Sequence, residues 1–433
     1  MKEKRMTELC TPEKASDVTS TKQINEVTIA TPLRLGHGYE VKNRLFKSAM
    51  SEQLADRDHN PTDGLATLYR TWALGGVGLA VSGNLMVDRR QLGEPNNVVL
   101  DVQSDLTKFK TWAQAGTANN TQLWAQLNHP GKQVPSFISG EPVAPSALPL
   151  EGDLQKNFKC PRALTENEIH IVIQQFSTSA SLAKEVGFSG VQIHGAHGYL
   201  VNQFLSGRHN QRKDEWGGSL ENRMRFLVSI YKAIRAAVGE NFPVGIKLNS
   251  ADFMSGGFTE EESMQVIQHL SDIGIDLIEI SGGSYEAPAM ADGVKKKAST
   301  IKREAYFLEY AEKARAVTEA PLVVTGGFRS TEGMNEALKS GATDMVGLAR
   351  PLAVDPSVPN KALADKGFSI NLRTLTTGFP SLDRMVLLNM SWYEAQLARM
   401  ANGKLPKQNL SEWFSTFKVF SHLGVYAFRK RRA

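Results

Sequence analysis

The chain has 433 residues, 41% hydrophobic and 22% charged, an ordinary globular composition long enough for one large domain or two modest ones. With 50 basic against 45 acidic residues the net charge is only +5, and no stretch interleaves aromatics with dense Lys/Arg until the last few residues, so no nucleic-acid partner is expected. The two cysteines, Cys10 and Cys160, make neither a CxxC pair nor a ligand cluster, which argues against a disulfide framework, an iron–sulfur centre or any other metal site.

No run of about 18 apolar residues occurs, and the first thirty residues are polar without an apolar h-region, so we expect no membrane span and a soluble, cytoplasmic protein. From residue 44 onward, short β-branched or apolar runs alternate with segments of helical period. Eight strands are predicted: Arg44–Met50, Gly78–Asn84, Thr121–Leu127, Gly190–Gly195, Pro243–Asn249, Leu277–Gly282, Pro321–Gly327 and Asp344–Arg350. Between them the spacing predicts helices, most clearly Glu168–Val186, Leu220–Val238, Glu260–Ile273, Glu304–Val317 and Thr331–Lys339, whose acidic or polar starts precede apolar residues three and four apart. Eight βα units without a GxGxxG after the first strand favour a closed α/β barrel, the (β/α)8 TIM fold, over an open doubly wound sheet.

Two regions fall outside this repeat. Asn128–Leu164, rich in Gly, Pro and Ser, is long for a βα loop and is expected to be a lid or a small hairpin insertion. After Arg350, Trp392–Met400 and Leu410–Phe428 read as helices that close or embellish the barrel. The division expected is a polar segment 1–29, a barrel over 30–370 and a helical extension over 371–433, with the Phe and Tyr residues between Trp413 and Arg432 packed on the barrel or on a second subunit in preference to a membrane surface. A homo-oligomer is left open.

In such a barrel the chemistry lies at the C-terminal ends of the strands. Those ends carry Ala49-Met50-Ser51, Ser82-Gly83-Asn84, Gln126, His194 and His197, Lys247, Ser281-Gly282-Gly283, Thr325-Gly326-Gly327 and Ala349-Arg350. They are donors, acceptors and glycines on strands otherwise built of Val, Ile and Leu. A lysine inside a strand is unusual, because an unpaired cation in a barrel core costs several kcal/mol.

The stretch VQIHGAHGYLVNQFLSGRHNQRKDEWGGSLENRMRF, Val191 to Phe226, resembles the old yellow enzyme signature of His-x-x-His, Gly-Tyr-Leu, Gln-Phe-Leu-Ser and Gly-Gly-Ser-x-x-Asn-Arg. The runs at Asn43–Met50, Gln126–Lys132, Pro142–Ala147 and Gly347–Leu352 follow the family in the same order, so the similarity extends from about residue 30 to 365. It implies an FMN-dependent oxidoreductase that takes hydride from NADPH or NADH and passes it to an electron-poor alkene. Under that resemblance Gly326, Gly327, Ala349 and Arg350 hold the FMN phosphate, while Ala49, Met50, Ser51, Gly83, Gln126 and Lys247 surround the isoalloxazine. His194 and His197 hold the substrate oxygen and Tyr199 donates a proton. Two positions depart from the family: Lys247 stands where much of it has Arg, and Ser51 where it has Cys or Thr, which changes contact geometry and flavin tuning. Read by themselves, the residues leave two rivals. One is a Schiff-base lyase with Lys247 as nucleophile; the other is a barrel that binds flavin without turning over an alkene.

Overall fold

The computed structural model describes residues 26–138, 140–284, 286–287 and 307–430. Eight parallel strands close on themselves: β1 (Leu45–Lys47), β2 (Leu79–Met86), β3 (Gln122–Asn128), β4 (Gly190–Gly195), β5 (Val244–Asn249), β6 (Leu277–Ser281), β7 (Leu322–Thr325) and β8 (Met345–Leu348). Each pairs with its neighbours in sequence, and β8 returns to pair with β1, so the fold is the expected TIM barrel.

Alternation along the strands divides the apolar residues between two cores. Phe46, Leu79, Val81, Trp124, Leu277, Val323 and Met345 point inward and fill the N-terminal end of the barrel. There an antiparallel pair, Leu33–Arg34 with Glu40–Val41, closes the floor. The indole of Trp124 can occupy the interior only because glycines face it: a Cβ on Gly190 or Gly245 would lie 2.5 or 2.8 Å from its ring. The other apolar face of each strand packs on the surrounding helices in one continuous core.

Those helices are α1 (Asp63–Leu74), α2 (Leu106–Gly116), α3 (Glu166–Val186), α4 (Leu220–Val238), α5 (Glu260–Asp272), α6 (Leu308–Ala314), α7 (Thr331–Lys339) and the short α8 (Arg350–Val354). Capping boxes set two of the starts: Thr165 with Glu168 opens α3 and Thr259 with Glu262 opens α5. That is why α3 begins before the residue at which its apolar period becomes visible. Within the predicted Glu304–Val317 helix, residues 304–306 lie outside the described residues, and the remainder forms α6 followed by a 3-10 turn at Arg315–Val317.

Strands β7 and β8 are shorter than predicted. Gly326 and Gly327 take left-handed φ of 103° and 104°, which ends β7 at Thr325, and Pro351 in the first turn of α8 ends β8 before Arg350. The Asn128–Leu164 insertion is not a hairpin, since its two short strands, Val143–Ala144 and Arg162–Ala163, pair in parallel. Ile29 is buried in the main core and its amide donates to Asn335. Beyond 370, α9 (Leu388–Ala401) packs on α1 and α8 and places Trp392 in the same core. A last helix, α10 (Glu412–Lys430), follows.

Candidate active site

Above the apolar floor, the inward-facing layer at the C-terminal end of the barrel is polar and continuously hydrogen-bonded. The Ser48 hydroxyl lies 2.7 Å from that of Thr325, which donates to Glu279 Oε1 at 2.8 Å. Gln192 donates to Glu279 Oε2 at 2.9 Å, and Gln126 donates to Gln192 Oε1 at 2.7 Å. A carboxylate only accepts, so Glu279 fixes the sense of the series: Gln192 must turn its amide nitrogen to Glu279, Gln126 must turn its own to Gln192, and Gln126 Oε1 is left as an acceptor.

Lys247 enters the same layer, with its Nζ 3.1 Å from Glu279 Oε1 and both side chains buried. The lysine therefore has a counterion, on the next strand in direct register. Periodicity alone could not reveal the pair, because Glu279 lies inside a predicted strand, Leu277–Gly282, that reads as ordinary core.

His194 and His197 flank this layer with ring centroids 5.2 Å apart, and Tyr199 stands 4.8 Å from His194. Ala196 donates its amide to His194 Nδ1 at 3.3 Å, so Nε2 carries the proton. Burial, reinforced by His197 and Lys247, holds His194 well below the usual imidazole range. Burial and then Lys247 push His197 down to about 3. Both rings are neutral at physiological pH, and His197 Nε2 lies 2.7 Å from the Ser281 hydroxyl. His197 adopts a left-handed φ of 61°, a strained conformation for a non-glycine residue that two contacts hold in place. Asn249 Oδ1 accepts from its amide at 3.2 Å and Gln133 donates to its carbonyl at 2.8 Å.

The turn after β1 rests on a buried charged platform that motif reading missed. Lys47 Nζ contacts Glu52 at 3.3 Å, the Tyr69 hydroxyl at 3.0 Å and the Val81 carbonyl at 2.8 Å, with the Trp72 ring 4.4 Å beneath it. Burial lowers Lys47 to about 8 and raises Glu52. The Tyr69 hydroxyl also accepts from the Gly83 amide at 2.9 Å, which draws the end of β2 against the Ala49-Met50-Ser51 turn; a Cβ on Gly83 would lie 2.6 Å from the Met50 carbonyl.

Ser51 meets two carboxylates. Its hydroxyl lies 2.6 Å from Glu94 Oε1 and 3.0 Å from Glu394 Oε1, and Gln53 also donates to Glu394. Glu394 comes from α9, so the extension supplies a side chain to the barrel mouth. Nothing in the local sequence marks it, since in α9 it reads as one polar position of an amphipathic helix.

Gly326 and Gly327 follow β7, and Ala349 and Arg350 follow β8. A Cβ on Gly347 would fall 2.0 Å from Thr325 Oγ1, so glycine there is what allows β7 and β8 to approach beside the polar layer. The residues singled out in the sequence thus lie on or directly after strands β1 to β8.

The family model for NADH:flavin oxidoreductase / NADH oxidase matches residues 28–367. The chain belongs to this family. Among curated relatives it is 37% identical to the NADH-dependent flavin oxidoreductase iliE of Hypocrea jecorina, over 78% of this chain and 89% of that one. It is 34% identical to the NADH oxidase of Thermoanaerobacter brockii, over 74% of this chain and 48% of the relative. Among solved structures it resembles the old yellow enzyme homologue from Zymomonas mobilis, with TM-score 0.67, 26% identity and coverage of 81% and 97%. A 2-naphthoyl-CoA reductase aligns with TM-score 0.71 and 28% identity over 78% of this chain, which spans only 52% of that larger protein. The protein is an FMN-dependent oxidoreductase with a nicotinamide hydride donor, which sets aside the lyase reading of Lys247.

The residues at the barrel mouth fit FMN on two structural observations. Gln126 Oε1 is left as an acceptor for an imide N–H. Asn84 Oδ1, beside Gly83 at the same mouth, is buried without a partner among the described residues.

Proposed function

We propose that this oxidoreductase reduces the activated C=C bond of an electron-poor alkene, an enone or a nitroalkene. The observation that carries the reading is the convergence of two neutral histidines and a tyrosine, His194, His197 and Tyr199, beside the polar layer. Neutral imidazoles donate hydrogen bonds to a carbonyl or nitro oxygen without transferring a proton to it, and so draw electron density from the distal alkene carbon. Tyr199, with a phenol whose reference pKa is near 10, is the proton donor to the carbon next to the activating group.

FMN, when bound, supplies the two-electron chemistry that links NAD(P)H to the alkene. Gly326 and Gly327 would offer backbone N–H groups to its phosphate, with Ala349 and Arg350 closing the other side. Gln126 would accept from the isoalloxazine edge, and Lys247, oriented by Glu279, would face the end where negative charge accumulates on reduction. Ala49, Met50, Ser51 and Gly83 would line the remaining edge, held by the Lys47–Glu52–Tyr69 platform.

Anaerobic titration of the purified yellow protein with NADPH or NADH, followed by an enone or nitroalkene, tests the reading. Bleaching by the nicotinamide and recovery of colour with the alkene at stoichiometric amounts is the expected result. Bleaching without recovery by any such alkene overturns the substrate assignment while leaving the oxidoreductase intact.

A further inference from the structure

Over residues 412–421 helix α10 carries its amphipathicity inverted. Ser415 and Thr416 face the protein and are buried, and the Ser415 hydroxyl has no hydrogen-bond partner among the described residues. Trp413, Phe414, Phe417 and Phe420 face outward, 51%, 54%, 74% and 44% exposed. Positions 413, 417 and 420 form one stripe of a helix with 414 beside it. Phe379 extends the patch, 60% exposed and edge-on to Trp413 at 6.2 Å between ring centroids. These four rings do not pack on the barrel, one of the two placements expected from the sequence, whereas Val419, on the Ser415 and Thr416 side, packs against the core; Tyr426 and Phe428 lie outside the described side chains. A contiguous cluster of outward Trp and Phe is uncommon on a soluble monomer and marks a contact surface.

Charge decides the kind of contact. From residue 412 onward the sequence has Lys418, Arg429, Lys430, Arg431 and Arg432 and a single acidic residue, Glu412, which is already paired with Arg373 at 3.0 Å. Two copies meeting through this helix would bring their cations together, whereas an anionic bilayer surface answers both the aromatic face and the basic run. Among the described residues no helix is long and apolar enough to cross a membrane.

We propose that α10, with Phe379, is a peripheral membrane contact. Trp413, Phe414, Phe417 and Phe420 enter the headgroup region of an anionic bilayer, and the net positive charge of the sequence from residue 412 onward favours that surface over a neutral one. The contact is one helix from the barrel mouth, since α10 packs on α9, which carries Glu394.

Co-sedimentation of the full-length, FMN-loaded protein with phosphatidylcholine vesicles, with and without phosphatidylserine, tests this. The protein should pellet with the anionic vesicles, stay in solution with the neutral ones and be released by high salt. Trp413→Ser with Phe417→Ser should weaken partitioning at least about tenfold, and Arg431→Gln with Arg432→Gln about fivefold per cation, with flavin content unchanged in both. Absence of pelleting on anionic vesicles, or pelleting undiminished in the Trp413/Phe417 variant, overturns the proposal. So does a concentration-dependent dimer that Phe417→Ser abolishes while vesicles leave the parent protein in solution, which would assign the face to a second copy.

Discussion

Glu394→Gln should weaken a pH dependence of stability that the Ser51 contacts require. One hydroxyl proton cannot satisfy both carboxylate oxygens, at 2.6 Å and 3.0 Å from Ser51 Oγ, so the second contact needs a proton from a carboxyl group. Burial first, and the neighbouring Glu94 second, push Glu394 up to about 8, and burial raises Glu94 as well. The pair therefore shares a proton across Ser51. An unfolded glutamate releases its proton near pH ~4.3. Between that value and the folded one, the native state holds a proton that the unfolded state has lost. Stability is thus fully present below the unfolded value and falls as pH rises toward about 8, by at most about 1.4 kcal/mol per pH unit. Glu394 keeps partial contact with solvent and Lys418 lies close enough to favour its charge, so the expected loss between about pH 5.5 and 7.5 is about 1–2 kcal/mol rather than the full ~3. Glutamine reproduces the neutral acid in shape and hydrogen bonding, so the variant should lose less stability over that interval and be the more stable protein at its upper end. Urea unfolding of both proteins at the two pH values, with and without flavin, gives the slopes. Equal slopes in parent and variant would refute the shared proton.

Three further outcomes follow from the site. Tyr199→Phe should leave reduction by NADPH nearly intact and slow the alkene half-reaction about 10²–10⁴-fold, read by stopped-flow absorbance of each half; an equal loss in both halves removes Tyr199 from the acid role. Glu279→Gln strands the Lys247 charge in the barrel and should cost about 3–5 kcal/mol in urea unfolding, most of it recovered by adding Lys247→Met; failure of the double variant to recover would show that the pair is not coupled. Gly347→Ala would place a methyl 2.0 Å from Thr325 Oγ1 and should lower stability by about 1–3 kcal/mol and reduce the flavin retained through purification, and an unaltered thermal melt and flavin content would contradict that.

The sequence made the barrel and the strand-end residues legible because both rest on local signals. Strands announce themselves by β-branched runs, and a residue such as His194 or Gln126 at the end of one is placed at the mouth by topology alone. Relations between strands were not legible. Glu279 sits in a strand that reads as ordinary core until the register sets it opposite Lys247, and Lys47 acquires its meaning only from Tyr69 and Glu52, brought to it by α1 and by the turn after β1. Glu394 was the least accessible of all, since its role depends on where a helix more than three hundred residues from Ser51 comes to rest. The outward face of α10 was hidden for the opposite reason: its aromatic period is what a core-facing helix would also show.

The placement of α9 has a practical consequence for anyone recombining such barrels. A chimera joined at residue 367, where the family match ends, looks conservative because every motif stays on one side of the seam. It would nevertheless exchange Trp392 in the core and Glu394 at Ser51 for whatever the donor chain carries, altering the floor plan of the reaction chamber from outside the segment thought to define it. The barrel and α9 should be inherited together, and variation introduced in α9 alone offers a way to alter the mouth while all eight strands stay as they are.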